Sequence, residues 1–459
     1  MRAQLLPIIS LLSSTFFLMV GAGLQGILLP VRGSLERWSA YEIGLLGTGY
    51  AVFFTVGCLV APRLVRSAGH VRTFCSLAAL LAVAVLLHAM IVHPIAWILL
   101  RGVSGFALAG SYMIIESWLN ERVTNESRGK IFSLYMMISM AAMMSGQYVL
   151  PLTQPLLTVP FMICAIFFCM AVIPNALSRA QSPKPLTQVR LDLKAIFRNS
   201  PAAALGVFLA GVLAGAWTNM APVFGTEIGF STASIATLLV ATMAGGMIFQ
   251  YPLGRLSDRV DRRMVMTAIG AIGAVVATIA IGLSTTTPGV LFFLAFLLGG
   301  MIYPAYSLAV AHANDYADAA DFVKISGGML ILYGFGTMGG PLLAAWLMES
   351  YGPMGIFVAT GSAHLVYAAY SLYRTTRRQP VPAEIREDFQ STPLARTQTP
   401  ATFALDPRGS DLSEAIPNDD DIPPSPVTPQ PEPAKPTPPE PDPNAPENLP
   451  ADRIREMVG

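Results

Sequence analysis

The 459-residue chain is 53% hydrophobic and 12% charged, with a formal net charge of +1 at pH 7. Soluble domains carry about 25% charged residues, so this composition is typical of a membrane protein and not of an ordinary water-soluble domain. Residues 380–459 hold 15 of the 28 acidic residues but 6 of the 29 basic ones. The membrane part is therefore basic and the tail is acidic.

Long apolar runs recur from the start of the chain to about residue 375. A spanning helix needs about 20 mostly apolar residues, and on this criterion we predict an all-α membrane protein with twelve transmembrane helices. The predicted spans are residues 5–30, 41–62, 72–93, 95–118, 129–151, 155–175, 201–226, 231–253, 264–284, 287–311, 325–348 and 352–373. The first run is too long for a signal-peptide core, so we expect it to remain as a helix.

Basic residues are concentrated in the loops on one side of these spans. The positive-inside rule places such loops, and with them both termini, in the cytoplasm. These residues are Arg63, Arg66, Arg72, Arg122, Arg128, Lys130, Arg179, Lys184, Arg190, Lys194, Arg198, Arg255, Arg259, Arg262, Arg263, Arg374, Arg377 and Arg378.

One long charged loop divides the spans into six and six. We predict an N-terminal six-helix bundle (residues 1–176), a cytoplasmic middle loop (177–200), a C-terminal six-helix bundle (201–375) and a tail (376–459). The tail holds about half of the chain's prolines, so we expect it to be a disordered, Pro-rich and acidic cytoplasmic segment. It is either a solvated spacer or a partner-binding segment.

The two halves resemble each other at a nearly fixed offset, which indicates an internal duplication. A shift of 192 residues superposes Pro30 on Pro222, Ser39 on Ser231 and Arg63 on Arg255. A shift of 194 residues superposes Gly105 on Gly299, Tyr112 on Tyr306, Asn120 on Asn314, Lys130 on Lys324 and Gly146 on Gly340.

The loop after the eighth span carries a recognisable motif. Its residues Gly254, Asp258, Arg259, Arg262 and Arg263 resemble the loop signature of the major facilitator superfamily, with Asp261 where a second glycine is usual. The loop with Arg63, Arg66 and Arg72 is a weaker copy, since Pro62 and Arg66 replace the glycine and the aspartate. This loop and the run from Glu116 to Asn120 are similar to the bacterial YcaD-like branch.

The resemblance, which covers residues 5–375, implies two pseudo-symmetric six-helix bundles in a bacterial inner membrane. It also implies that the motif loops act as gates and latch the halves together in the outward-open state. Because an aspartate gains from the positive end of a helix dipole, we hypothesise that Asp258 meets the start of helix 5 near Ser127 and Arg128. The alternative is that the loop only sets the orientation of the chain.

One face of the fourth predicted helix carries Arg101, Gly105, Leu108, Tyr112 and Glu116 at spacings of three and four. An arginine inside a span is costly, so it usually faces protein or a water-filled cavity. We interpret Arg101, Tyr112 and Glu116 as a cavity wall that binds an anionic group or assists proton coupling. Arg101 snorkelling to the interface and Glu116 as an interfacial charge are the alternatives.

Polar residues of the first, seventh and tenth predicted helices complete the candidate cavity: Gln25, Trp217, Asn219, Tyr303 and Tyr306. Midplane sites in duplicated transporters form where the repeats meet, which favours these positions. A packing role or an interfacial role is the alternative for each aromatic residue.

Sequence signals for other functions are missing. The chain has no phosphate-binding loop, nucleophile elbow or zinc-ligand spacing, and its four cysteines lie in apolar runs. We therefore expect no enzyme activity, no metal, no cofactor and no nucleic-acid partner.

These patterns together predict a secondary active transporter in contact with membrane lipid. We expect a monomer that moves a small, partly hydrophobic organic solute by alternating access, with protons as the coupling ion. The alternative is a membrane sensor or scaffold that signals through the Pro-rich tail. The residues themselves do not identify the solute, the direction of transport or the coupling ion, for which protons are our expectation.

Overall fold

The computed structural model describes residues 2–122, 125–177, 196–197, 200–283, 287–316, 322–379, 389 and 399. Side chains are described for all of these residues except 2–7, 122–128, 322–324 and 326. Twelve long helices are described. They are α1 (Arg2–Leu35), α2 (Ala40–Ala68), α3 (His70–Met90), α4 (Pro94–Arg122), α5 (Asn125–Gln147), α6 (Val159–Ala176), α7 (Pro201–Glu227), α8 (Thr232–Arg259), α9 (Arg262–Leu283), α10 (Pro288–Asn314), α11 (Phe322–Tyr351) and α12 (Gly355–Thr375). A short 3-10 helix, Leu150–Leu152, follows α5. The predicted all-α fold with twelve long helices is confirmed, and most of the predicted tail lies outside the described residues.

Serines related by the duplication start the second helix of each half. Ser39 accepts a hydrogen bond from the Glu42 amide at 3.1 Å, and the Glu42 carboxylate accepts one from the Ser39 amide at 2.9 Å. Ser231 accepts from the Ser234 amide at 3.2 Å at the start of α8. Such caps satisfy amides that the first turn leaves unpaired.

Close helix crossings repeat in the two halves at equivalent positions. A Cβ atom on Gly105 of α4 would collide with the Tyr50 carbonyl of α2. A Cβ atom on Gly299 of α10 would collide with the Thr242 carbonyl of α8 in the same way. Small residues allow backbones to approach this closely in membranes. The duplicated glycines therefore maintain duplicated crossings.

The first and fifth helices of each half cross in the same manner. Gly146 of α5 lies against the Val20 carbonyl of α1, and Gly340 of α11 lies against the Val212 carbonyl of α7. Gly340 follows Gly146 by 194 residues, and Val212 follows Val20 by 192 residues, so the two crossings are related by the same offsets as the sequence landmarks. The two six-helix bundles, α1–α6 and α7–α12, are thus pseudo-symmetric.

Apolar side chains on the outer helices are exposed in the protein alone. Val83 of α3, Ile166 of α6, Val275 of α9 and Leu365 of α12 are each more than half exposed. Eleven described helices are long and apolar enough to cross a membrane. Among the described helices α5 is the exception, and residues 130–147 of α5 include three serines and Gln147. Lipid is the medium that suits the exposed surface of the outer helices.

The bundles contact each other near one end of the helices. We call the end with the Arg63–Arg72 and Arg255–Arg263 loops the basic face, and the end with Ser39 and Ser231 the opposite face. Toward the opposite face, the Tyr41 amide of α2 donates to the Glu349 carboxylate of α11 at 2.9 Å. The hydroxyl groups of Tyr148 and Thr237 are 3.2 Å apart there, which links α5's end to α8.

Candidate functional site

A cavity lies between the bundles, near the middle of α1 and α10. The volume of this cavity is about 20 Å³, which is enough for one or two water molecules. Among the described residues, eight line it: Gly23, Gly26, Met143, Gln147, Thr218, Leu239, Met243 and Tyr303. They come from helices of both bundles, and none of the eight is charged. The site therefore lies where the two repeats meet.

Arg101 is 9% exposed and is held inside the first bundle. Its guanidinium donates to Gln25 Oε1 at 2.7 Å and lies 4.5 Å from the centre of the Tyr50 ring. The Gln25 amide nitrogen in turn donates to the Ser104 hydroxyl at 3.0 Å. The structure thus brings together the predicted residues Arg101 and Gln25 in one buried network across α1, α2 and α4.

Glu116 is 1% exposed and lies toward the basic end of α4. Its carboxylate accepts a hydrogen bond from the Tyr135 hydroxyl at 3.1 Å and another from the Thr399 hydroxyl. Tyr112 is also buried, with its ring 6.2 Å from that of Phe54. Arg101, Tyr112 and Glu116 share one helix, but the described contacts place the first and last in separate networks.

The two predicted cavity residues of α7, Trp217 and Asn219, have different surroundings. The Trp217 indole donates to the Thr242 hydroxyl of α8 at 3.0 Å, inside the bundle. The Asn219 side chain donates to the Gly215 carbonyl at 2.8 Å and lies against Gly47 of α2. Asn219 therefore belongs to the contact between bundles, and Trp217 packs within one.

Two predicted tyrosines of α10 have different surroundings. Tyr303 lines the central cavity and packs against Gly246 of α8. Tyr306 is 1% exposed, and its ring meets that of Tyr333 edge-on at 5.0 Å. Of the predicted cavity residues, Tyr303 is the one that also belongs to the eight described residues lining the cavity.

Sequence reasoning did not select Gln147, Met143 or Met243 for the cavity. The sequence does carry a signal for a further lining residue, Thr218. It lies 192 residues after Gly26, which is the offset that relates the two halves, and both residues line the cavity. The lower hydropathy of α5 is a second signal, since a polar helix among apolar ones often faces a cavity.

The loop between α8 and α9 is tied to its own bundle by two buried arginines. Arg262 pairs with Asp258 at 3.2 Å and with Asp315, beyond the end of α10, at 2.7 Å. It also donates to the Ser257 hydroxyl at 3.0 Å. The loop thereby joins the basic ends of α8, α9 and α10.

The unusual Asp261 has a structural role. Its carboxylate accepts from the Arg263 amide at 2.9 Å, capping α9, and pairs with the Arg263 guanidinium at 2.7 Å. Arg263 also donates to the carbonyls of Arg374 and Arg378, each at 2.8 Å. Burial raises the pKa of Asp261, but the hydrogen bonds and charge of Arg263 outweigh it and hold that pKa below its usual range.

Asp258 is bound by the C-terminal part of the chain. Its Oδ1 accepts from the Phe389 amide at 2.9 Å, and the Phe389 ring lies against Gly254. Arg259 is exposed. The side chains of Ser127 and Arg128 lie outside the described residues, so the contact expected for Asp258 there stays a prediction.

The equivalent loop of the first half is more open. Arg63, Arg66 and Arg72 are all exposed. Gly69, between α2 and α3, has φ of +80°, a conformation that residues with a side chain rarely adopt. Gly69 therefore makes the sharp turn between the second and third helices of the first half. At the equivalent turn of the second half, the capping residue Asp261 stands instead.

Within the described part of the chain, no cluster of three or more His, Cys, Asp or Glu side chains is present that could hold a metal ion. The four cysteines, all in this part, are free thiols.

Comparison with known families decides the class of protein. The family model described as Major Facilitator Superfamily matches residues 11–247 and 204–409. The chain belongs to the major facilitator superfamily.

An uncharacterized MFS-type transporter of Yersinia pestis (strain Pestoides F) is 25% identical over 382 residues, 83% of this chain and 98% of the relative. The uncharacterized MFS-type transporter YcaD of Escherichia fergusonii is 23% identical over 366 residues, 79% and 94% of the two chains. The similarity to the YcaD-like branch is confirmed.

Solved structures of two transporters have the same fold. The nucleoside transporter NupG has a TM-score of 0.61 and 16% identity, covering 82% of this chain and 98% of its own. A bacterial homologue of the human lysosomal transporter Spinster, inward-facing and occupied, has a TM-score of 0.64 and 12% identity, covering 83% and 97%. The chain is thus a membrane transporter of the superfamily by family and by fold.

Proposed function

We propose that this transporter moves a small, partly hydrophobic organic solute by alternating access, with protons as the coupling ion. The observation that carries the proposal is the uncharged, partly apolar cavity between two pseudo-symmetric bundles. Duplicated halves that move against each other around a midplane site can open that site to each side in turn.

Contacts between the bundles support an inward-facing state. Thr48 donates to the Met338 carbonyl at 2.7 Å, and Tyr41 and Tyr148 make further cross-bundle contacts toward the opposite face. The positive-inside rule assigns the basic face to the cytoplasm and, with it, both termini. Closure at the opposite face then leaves the cytoplasmic side as the way in and out.

Glu116 is our candidate for the proton carrier. It is a carboxylate that is 1% exposed within a span, and ionisable groups inside spans commonly take part in proton relays. Arg101 is a candidate coupling contact through its bond to Gln25.

The test uses purified protein in proteoliposomes that contain a pH-sensitive dye. Solutes that raise the thermal stability of the protein are added outside, since selective binding stabilises the folded state. We expect at least one of them to drive proton movement. A sensor or scaffold would bind a solute without any flux of solute or protons.

A further inference from the structure

Gln147, in the wall of the central cavity, has an unusual environment for a buried amide. It is 6% exposed, and its Oε1 has no hydrogen-bond partner among the described residues. Its Nε2 donates to the Met243 thioether sulfur at 3.5 Å, which is a weak acceptor. Buried polar groups normally have partners because desolvation without one is costly. The amide of Gln147 therefore has capacity for a ligand.

Thr218 presents a second such group from the other bundle. Its Oγ1 is buried and has no hydrogen-bond partner among the described residues. Gln147 belongs to α5 and Thr218 to α7, so the two groups face the cavity from different halves of the protein. A solute that binds both would connect the bundles.

The rest of the lining restricts the chemistry of that solute. Met143 and Met243 supply polarizable, adaptable apolar surface that packs well against aromatic rings. A charged solute would lose its hydration in a cavity whose eight described lining residues include no opposite charge. An uncharged solute with a donor and an acceptor on one edge would satisfy both ends of the Gln147 amide.

Resting on the proposed transport function, we infer that Gln147 and Thr218 bind an uncharged solute that carries a carboxamide-type edge on an apolar or aromatic body. The N–H of that edge donates to Gln147 Oε1, and its carbonyl accepts from Gln147 Nε2 or the Thr218 hydroxyl. The present space of about 20 Å³ holds no such solute, so binding requires the bundles to separate around it.

Three near-isosteric probes test this inference: benzamide is neutral, benzoate is an anion and benzamidine is a cation. We expect benzamide at millimolar concentration to raise the thermal stability of the detergent-purified protein, and the two charged probes to leave it unchanged. Gln147→Leu should weaken benzamide binding about tenfold or more, because two hydrogen bonds are lost. Ser145→Ala is the matched control on α5, since its hydroxyl bonds to its own helix at Ala141.

The inference is overturned if a charged probe stabilises the protein as well as benzamide does, if benzamide has no effect, or if Gln147→Leu binds it normally. Any of these results is compatible with transport of a different solute. Loss of the proposed function itself would instead appear as proteoliposomes in which no solute drives proton movement.

A separate observation concerns two described residues beyond the last helix, Phe389 and Thr399, each of which contacts a different bundle toward the basic face. Phe389 is anchored on α8, where its amide reaches Asp258 and its ring covers Gly254. Thr399 is fully buried, and its hydroxyl donates to Glu116 on α4. α4 belongs to the first bundle and α8 to the second.

We propose that Phe389 and Thr399 make the C-terminal chain an intramolecular ligand that restrains the relative movement of the bundles. The Phe389 amide occupies an oxygen of Asp258, the residue that the superfamily resemblance assigns to the outward-open latch. The Thr399 hydroxyl occupies the carboxylate proposed as proton carrier. Release of both anchors is then required before the cycle can proceed.

Two shortened chains separate this role from that of the remaining tail. A chain ending at Gln379 lacks both anchors, whereas a chain ending at Ser410 retains them and lacks the most Pro-rich part. We expect the shorter chain to transport protons about fivefold faster or more, the effect of losing one net hydrogen bond's stabilisation, and the longer one to match the full chain.

A synthetic peptide of residues 384–404, added to the chain that ends at Gln379, should restore the slower rate. Equal rates in the two shortened chains would refute the proposal. A shorter chain that is inactive and less heat-stable would also refute it, because the anchors would then be structural supports.

Discussion

The Thr48 hydroxyl donates a 2.7 Å hydrogen bond to the Met338 carbonyl, joining α2 of one bundle to α11 of the other. Thr48 lies one turn along α2 from Gly44, whose missing side chain lets α11 approach at Pro341 and Ala345. A contact made by a hydroxyl, a carbonyl and a glycine is small enough to break and reform. Such a contact suits a protein whose halves alternately close and separate.

Enlarging Gly44 should weaken closure at the opposite face. Its added Cβ would lie 3.1 Å from both the Pro341 carbonyl and the Ala345 Cβ, and overpacking typically costs about 1–3 kcal/mol. We expect Gly44→Val to shift the protein toward the outward-open form, measured as faster thiol labelling of a cysteine at Thr218. Gly339→Val is the control, since nothing lies within 4 Å of a Cβ at that position of α11. Equal labelling of both variants would contradict the role of this contact.

Removing the charge of Glu116 should separate transport from proton coupling. We expect Glu116→Gln to exchange solute across proteoliposomes at a normal rate but to lose accumulation driven by a pH gradient, because an amide takes up no proton in this range. Glu121→Gln, on the exposed surface of the same helix, is the control. Normal accumulation in the Glu116→Gln variant would exclude Glu116 as proton carrier.

Arg101 and Gln25 should be energetically coupled. Their hydrogen bond of 2.7 Å involves a charged donor and is buried, so it contributes about 1.5–3 kcal/mol. A double-mutant cycle of Arg101→Ala and Gln25→Ala, measured as the free energy of unfolding in detergent, should give a coupling energy of this size. Additive losses would place Arg101 outside the network.

The pair of Asp261 and Arg263 should stabilise the second bundle in a pH-dependent way. Because the pKa of Asp261 is lowered in the folded protein, its stabilisation is complete above the ordinary carboxyl value and is lost as the pH falls below about 3.9. We expect Asp261→Asn to cost about 1.5–3 kcal/mol at neutral pH. The difference from the natural protein in free energy of unfolding should shrink with acidification. A constant difference would show that the lost capping geometry, and not the charge, matters.

Hydropathy and charge patterning predict most of the fold because lipid imposes strong constraints. Apolar run lengths predict the helices. The offset between Ser39 and Ser231 predicts equivalent positions in the two halves, and the structure shows an N-terminal cap at each. Glycine pairs such as Gly105 and Gly299 mark equivalent crossings for the same reason. These features are local or repeated, so they can be read along one chain.

The central cavity is harder to predict, because its lining depends on how each helix is rotated against its neighbours. Trp217 and Thr218 are adjacent, yet Trp217 packs on Thr242 inside its bundle while Thr218 lines the cavity. Gln147 ends α5 and enters the wall because the two bundles meet there. The anchors Phe389 and Thr399 lie in a polar segment without periodicity, which left no pattern to interpret.

Alternating access is tested most directly by distances between spin labels on both faces of the same protein. One pair replaces the exposed residues Arg66 and Arg255 on the basic face, and the other replaces Tyr41 and Tyr351 on the opposite face, in a variant without native cysteines. As the pH of a lipid-nanodisc sample is varied between 5 and 8, we expect the distance in one pair to lengthen as the distance in the other shortens. Distances that stay fixed in both pairs, or that change in the same sense, would contradict a transporter built on two rocking bundles.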